Sequence, residues 1–202
     1  MGATVEQVQN ALHNAGHYRV VQAQRVAGEG DPDGISGALL LALGIRETGL
    51  RNIQGGAKLV DGRWVALGPA DAHLMDVGAL QISRRYHPQT LGKLAAVRAG
   101  TWGPVVPGYT PLMYGFVPQW TTALRFTIDE MHEALAYAHD KGVSDPVRFA
   151  VAAHNAGIGG ALNGYRAGDV DKYTAHGDYS RWVLATRSVV NGWLGKHPNW
   201  KV

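Results

Sequence analysis

The chain has 202 residues, of which 46% are hydrophobic and 17% are charged, and its formal net charge is +3. These values are typical of a globular protein with a sizeable core, organised as one domain or as one domain with an appendage. Because the chain contains no cysteine, a disulfide framework, a thiol nucleophile and a cysteine-based zinc site are excluded. The positive charge is mild and forms no block of like charges, so we expect no nucleic-acid partner.

Two short helices are predicted at the start of the chain, over residues 4–15, where apolar residues recur at helical spacing, and over 18–27. A cluster of glycine, aspartate and proline at 28–34 indicates a turn after them. We therefore expect residues 1–30 to be an N-terminal helical appendage and 31–202 to be the main domain. The appendage is either packed on that domain or the remnant of a larger protein.

The next predicted helix covers residues 35–47 and ends in a carboxylate. Its apolar run, residues 38–45, is too short to span a bilayer, which takes ~20 residues. A carboxylate at the end of a buried helix is expensive to ionise, so burial raises its pKa. A carboxylic acid that keeps its proton near neutral pH can act as a general acid. Glu47 is therefore a candidate catalytic acid, although Glu47 taken alone favours the interpretation of an inert, half-exposed residue at a helix end.

A small β-hairpin is predicted over residues 57–67, because the Asp61-Gly62 pair between β-prone residues favours a type I′ turn. A third short strand is expected at 77–82. The later predicted elements are a short helix around 89–99, a loop over 100–118 and helices over 120–141, 146–157 and 178–195. For the helix that starts at Pro146, Ser144 is the expected N-cap and Gly157 the expected end.

Three short motifs follow one another in a fixed order along the chain. They are RETG at residues 46–49, DVGALQISRR at 76–85, and AAHNAG at 152–157, the last followed by GDYS at 177–180. In this order, with a predicted helix between the last two, they resemble the motifs of the lysozyme-like glycosidases. The match is with goose-type lysozymes and lytic transglycosylases, and it covers about residues 35–195.

The resemblance implies an α+β, mainly α, lysozyme-like fold with a small β-hairpin beside the active-site cleft. It implies cleavage of the β-1,4 bond between N-acetylmuramic acid and N-acetylglucosamine in peptidoglycan. Glu47 matches the general acid of the family. Gly78 and Gln81 match a Gly-x-x-Gln-hydrophobic motif that lines the cleft, and Asn155 matches a residue of the opposite wall.

The chain departs from the family pattern at two places. His154 stands where the family has a tyrosine near the catalytic glutamate, and it either replaces the tyrosine's hydrogen bond, titrates itself, or packs beside the cleft without a chemical role. Goose-type enzymes also carry an aspartate just after the Gly-x-x-Gln motif, as a second carboxylate, and this chain has Ser83 at that position. Asp76 is then the first choice for that carboxylate and Asp71 the second, and an enzyme with no second carboxylate remains open.

The first functional interpretation is a bacteriolytic muramidase of the bacteriophage endolysin type, acting on peptidoglycan glycan strands as a monomer without membrane insertion. The nine histidines form no HExxH pattern, so we expect neither a metal nor another cofactor. The N-terminus lacks the pattern of a signal peptide, so the protein is expected in the host cytoplasm until its release to the cell wall. The first alternative is a lytic transglycosylase that gives 1,6-anhydro products and works in wall remodelling or as part of a phage tail or secretion system. The second, less favoured, is a non-catalytic peptidoglycan-binding module.

Overall fold

The computed structural model describes residues 1–28, 34–51, 54–55, 57–61, 63–66, 76–83, 95–96, 109–110, 116–117 and 120–202. The α-helices in these ranges are α1 (Val5–Ala15), α2 (His17–Gly28), α3 (Gly37–Thr48), α4 (Trp120–Asp140), α5 (Pro146–Arg166) and α6 (Tyr179–Lys196). Short 3-10 turns cover Ala175–Gly177 and Pro198–Trp200. The strands are β1 (Gln54–Gly55), β2 (Ala57–Val60), β3 (Arg63–Ala66), β4 (Asp76–Val77), β5 (Ile82–Ser83), β6 (Ala95–Ala96), β7 (Tyr109–Thr110) and β8 (Phe116–Val117). The protein is therefore α+β and mainly α, as the sequence predicts.

The ends of the first and third helices are fixed by local hydrogen bonds. At the start of α1, the Thr4 side chain accepts from the Gln7 amide while the Gln7 side chain accepts from the Thr4 amide, which is a capping box. Ser36 caps α3 through a hydrogen bond from the Leu39 amide, 3.2 Å long. Gly49 ends α3 in the left-handed region, with φ 63°. The helix break thus falls two residues after Glu47, as predicted.

Helix α3 lies at the centre of one buried hydrophobic cluster. Its residues from Leu39 to Leu43 have no exposed surface, and it packs against α2 on one side and α6 on the other. Helix α4 packs against α5 and α2, and the Ala3 amide donates a 2.8 Å hydrogen bond to the Thr186 hydroxyl of α6. Helices on both sides of residue 30 share this cluster, while the division of the chain at that residue stays a prediction.

The strands form three small antiparallel sheets in the described ranges. The largest has the order β5-β4-β1-β7, and β6 pairs with β8. The predicted hairpin is confirmed, because β2 pairs with β3 in a register that joins Val60 to Arg63 around Asp61. Asp61 has a φ of 49°, the left-handed conformation that a type I′ turn requires.

The predicted strand over residues 77–82 is wrong. β4 ends at Val77 and β5 begins at Ile82, and the residues between them form a tight turn. Gly78 and Gln81 both have positive φ, 82° and 51°, which reverses the chain instead of extending it. The Gly-x-x-Gln motif is therefore a β-turn that joins two neighbouring strands.

The boundaries of α5 also differ from the prediction. Its N-cap is Asp145 and not Ser144, because the Asp145 carboxylate accepts a 3.0 Å hydrogen bond from the Arg148 amide. Gly157 interrupts the helix with a φ of 70°, but helical structure resumes after it and continues to Arg166. Gly157 is therefore a kink within α5 and not its end.

The predicted helix around residues 89–99 is corrected at Ala95–Ala96, which form strand β6 paired with β8. Antiparallel pairing with a distant segment replaces the local hydrogen bonds of a helix there. The rest of that predicted helix lies outside the described residues. In the predicted loop 100–118, the pairs 109–110 and 116–117 are strands, and its remaining positions lie outside the described residues.

The close contact between α2 and α3 gives a first prediction. A Cβ atom added at Gly37 would lie 2.5 Å from Gln24 Cα and 2.8 Å from its backbone nitrogen, so the two helices would have to separate. We expect Gly37→Ala to lower the free energy of unfolding by about 1–3 kcal/mol in urea denaturation. Gly192→Ala is the matched control, because no atom lies within 4 Å of its added Cβ, and it should stabilise α6 by about 1 kcal/mol. Equal effects of the two substitutions would contradict the packing.

Candidate active site

A cleft of about 610 Å³ opens between the C-terminal end of α3, the β4–β5 turn, α4 and the kink of α5. The described residues that line it include Glu47, Asp76, Gln81, Ser83, Glu130, Glu133, His154, Asn155 and Gly157. Residues of all three sequence motifs therefore meet in one cleft. Its volume lies within the range of ligand-binding clefts, ~300–1,000 Å³.

Glu47 lies in the last turn of α3, half-buried at the wall of the cleft. The hydroxyl of Tyr179, a residue only 1% exposed, donates a short hydrogen bond to Glu47 Oε1. Burial raises the pKa of Glu47 to about 7, the Tyr179 hydrogen bond lowers it, the Asp76 charge raises it and the Arg46 charge lowers it. A carboxyl with a pKa this close to neutral can hold a proton and give it up, which suits a group that donates a proton.

Asp76 lies on β4 and lines the same cleft as Glu47. Burial raises its pKa, and a hydrogen bond with Ser83, its partner across the β4–β5 register, acts in the opposite direction. The charge of Asp76 in turn raises the pKa of Glu47, so the two carboxyl groups interact electrostatically. The structure thus brings together the predicted acid and the first choice for its partner. Asp71, the second choice, lies outside the described residues.

The Gly-x-x-Gln turn is held against the end of α3. Gln81 lines the cleft and its Nε2 donates a 2.7 Å hydrogen bond to the Gly78 carbonyl, which closes the turn. Gly78 itself is buried below Gln81 and lines no part of the cleft among the described residues. The buried Thr48 hydroxyl donates to the Ala79 carbonyl at 3.0 Å. Because Thr48 follows Glu47 directly, this bond fixes the acid relative to the turn.

The opposite wall is formed by α5 just before its kink. His154 and Asn155, both of the third motif, line the cleft there. Asn155 Oδ1 accepts a 2.7 Å hydrogen bond from the Ala175 amide, which orients the side-chain amide. His154 is half-buried, and its chemical role stays a prediction. The positive φ of Gly157 turns the chain away immediately beyond these residues.

Three residues of the site have no assigned role in the sequence prediction. Tyr179 belongs to the fourth short segment, GDYS, and its contact with Glu47 joins residues far apart in the chain. Glu130 and Glu133 lie one helical turn apart on α4, on the face that meets the cleft. Burial, followed by the charge of Glu133, raises the pKa of Glu130 to about 7. The sequence offers one sign of this placement, since Glu130 and Glu133 are acidic residues next to the apolar face of α4.

Arg46 links the acid to the start of α6. Its guanidinium lies 4.9 Å from the ring centre of Trp182 and 5.8 Å from that of Tyr179. It also forms a 3.0 Å ion pair with Asp178. The residue before Glu47 is therefore attached to the same helix end that carries Tyr179.

Comparison of the chain with models of known protein families, with curated proteins and with solved structures finds no match. Across the described ranges, no group of three or more histidine, aspartate or glutamate side chains is arranged to hold a metal ion. None of the helices in the described part of the chain combines the length and the apolarity needed to cross a membrane. The chemistry of the cleft must accordingly be inferred from its own residues.

The raised pKa of Glu47 predicts a pH-dependent cost to stability. Above pH ~4.5 the unfolded chain ionises this group while the folded protein keeps its proton, so stability falls as pH rises towards about 7 and then levels off. We expect Glu47→Gln, which keeps the acceptor for Tyr179, to raise the free energy of unfolding by about 1–3 kcal/mol at pH 8 and by much less at pH 4.5.

Urea denaturation at the two pH values measures this difference. Glu6→Gln, in the exposed first turn of α1, is the matched control and should change stability by no more than about 0.5 kcal/mol. A Glu47→Gln protein that is no more stable at pH 8 than at pH 4.5, relative to wild type, would show that Glu47 ionises without cost.

Proposed function

We propose that the protein is a glycosidase that cleaves the β-1,4 bond between N-acetylmuramic acid and N-acetylglucosamine in peptidoglycan, with Glu47 as the general acid. One observation carries the proposal: a carboxyl with a pKa of about 7 faces a cleft in which residues of the three motifs meet. A perturbed acid in a cleft is the usual mark of an acid–base catalyst. The lysozyme-like fold is part of the same proposal.

In this mechanism Glu47 protonates the glycosidic oxygen as the bond to the anomeric carbon breaks. The Tyr179 hydroxyl then stabilises the Glu47 carboxylate, because it is already a hydrogen-bond donor to that group. Asp76 supplies the second carboxylate, either as a nucleophile or as the base for a water, and the charge it carries also stabilises an oxocarbenium-like transition state. If Asp76 is the nucleophile, Glu47 recovers a proton from the water that then cleaves the glycosyl-enzyme bond. If Asp76 is the base, Asp76 takes the proton of the attacking water, and Glu47 is reprotonated and Asp76 deprotonated by exchange with solvent.

A lytic transglycosylase is the second candidate. Such an enzyme needs a single acid and base, because the 6-hydroxyl of the sugar attacks the anomeric carbon and leaves a 1,6-anhydro product. The observation in its favour is the raised pKa of Asp76, since burial disfavours the charged form that a nucleophile or base requires.

The biological setting that fits this activity is bacterial cell lysis by a phage endolysin. The protein would act as a monomer on peptidoglycan glycan strands, after waiting in the host cytoplasm for release to the cell wall. If the protein is instead a lytic transglycosylase, it would act in wall remodelling or as part of a phage tail or a secretion system. A non-catalytic binding module is disfavoured, because the chain keeps Glu47 together with the Gly-x-x-Gln and Asn-Ala-Gly motifs, and residues of all three line one cleft.

The acid assignment is tested by zymography on peptidoglycan. Glu47→Gln removes the proton donor and keeps the shape, so we expect a loss of about 10²–10⁴-fold in the rate of clearing. Glu6→Gln, exposed on α1, should clear at the wild-type rate. Clearing by Glu47→Gln at that same rate would refute the proposal.

The second carboxylate is tested by substitution together with product analysis. If Asp76 is the partner, Asp76→Asn should slow the reaction by about 10²-fold or more, and mass spectrometry should find reducing ends. Asp61→Asn is the control, because Asp61 is exposed in a turn whose positive φ asparagine also tolerates. Anhydro ends together with an active Asp76→Asn protein would instead identify the transglycosylase.

A further inference from the structure

One buried carboxylate outside the cleft has no part in the mechanism described so far. Asp171 lies in the loop between α5 and α6 and is 0% exposed. Its oxygens accept hydrogen bonds from the Ser180 amide and hydroxyl, both at 2.7 Å, and from Arg148 at 3.1 Å. Burial acts to raise its pKa, but these bonds and one from the Arg181 amide outweigh it and hold the pKa below the usual range.

Asp171 acts as the cap of α6 from a distance of several residues. Asp178, the residue at the N-cap position, makes no side-chain capping bond. Asp171 instead accepts from the amides of Ser180 and Arg181, at 2.7 and 3.3 Å, which are among those left unpaired in the first helical turn. The first turn of α6 is thus fixed by a residue of the preceding loop.

The same aspartate also holds the first residue of α6, Tyr179, through Thr174. The Tyr179 amide donates to the Thr174 hydroxyl at 3.4 Å, and that hydroxyl donates to the Asp171 carbonyl at 2.8 Å and to its carboxylate at 3.3 Å. The backbone amides of the first three residues of α6 therefore all lead back to Asp171, two directly and that of Tyr179 through Thr174. Tyr179 is the residue whose hydroxyl donates to Glu47.

We propose that Asp171 is a positioning residue that fixes the start of α6 so that the Tyr179 hydroxyl stays bonded to the Glu47 carboxyl. Its relevance to catalysis rests on the proposed function, in which Glu47 is the acid. A hydrogen bond from a neutral donor depends strongly on distance and angle, so a small movement of the first turn of α6 weakens it. Asp171 thereby sets how tightly Glu47 holds its proton.

The direct readout is the pH titration of the Glu47 carboxyl, monitored by NMR in protein labelled with ¹³C at the glutamate carboxyls. Because the Tyr179 bond lowers the pKa of Glu47, its loss in Tyr179→Phe should raise the titration midpoint by about one pH unit. Asp171→Asn should raise it in the same direction by about half as much. The double variant should match Tyr179→Phe alone, because both changes act on one bond.

Asp169→Asn is the matched control for the loop. Asp169 also pairs with Arg148 and Arg181, at 2.8 Å each, but it is half-exposed and the amides of α6 do not donate to it. It accepts a 3.1 Å hydrogen bond from the Asp171 amide, which the side-chain oxygen of asparagine can keep. Its substitution should leave the Glu47 midpoint at the wild-type value. Equal midpoints for Asp171→Asn and Asp169→Asn would overturn the proposal. So would a midpoint of the Asp171→Asn/Tyr179→Phe double variant that is raised by the sum of the two single increases.

Circular dichroism at the temperature of the titration shows which variants are folded. If Asp171→Asn is not folded, Thr174→Val tests the proposal in its place. It removes only the hydroxyl that links Asp171 to the Tyr179 amide, and it should also raise the titration midpoint of Glu47. An unchanged midpoint in folded Thr174→Val would then overturn the proposal. The titration needs no activity, so a failure of Asp171 as a positioning residue is distinct from a failure of Glu47 as the acid in zymography.

Discussion

The arrangement depends on the hydrogen bond between the Tyr179 hydroxyl and the Glu47 carboxyl. Helix α3 is buried from Gly37 to Gly44, so the half-buried carboxyl in its last turn is held at the edge of the core, where it lines the cleft. Burial makes the charged form costly, and the tyrosine, together with Arg46, offsets part of that cost. The result is a group with a pKa of about 7, which can both release and recover a proton under physiological conditions. The loop that caps α6 and the turn bonded to Thr48 both maintain this geometry.

The features that could be predicted from the sequence are those made by residues close together in the chain. Thr4 and Gln7 cap α1 between themselves, Gly49 stops α3 in a left-handed conformation, and Asp61 takes the positive φ of the hairpin turn. Glu47 belongs to the same group, because the apolar run before it requires a buried helix. Spacing and residue type predict such features, since the interactions that determine them are local.

The features that could not be predicted depend on distant contacts or on backbone conformations that several residue types allow. The turn at Gly78–Gln81 has the apolar pattern of a strand, and only the positive φ of its two end residues makes it a turn. The place of Glu130 in the cleft depends on the rotation of α4 about its axis, which packing against α2 and α5 determines. Tyr179 meets Glu47 only because α3 and α6 pack side by side.

The two carboxyl groups of the cleft are best treated as one titrating pair, in which the environment decides where the last proton stays. Burial raises the pKa of both Glu47 and Asp76, and Ser83 offsets part of the effect at Asp76. The charge of an ionised Asp76 also raises the pKa of Glu47. Burial and the partner's charge thus both favour the protonated form of Glu47, beside the Tyr179 donor. In the proposed hydrolysis by two carboxylates, one group must hold a proton while its partner is ionised, so the two roles depend on how far these environments separate the two pKa values.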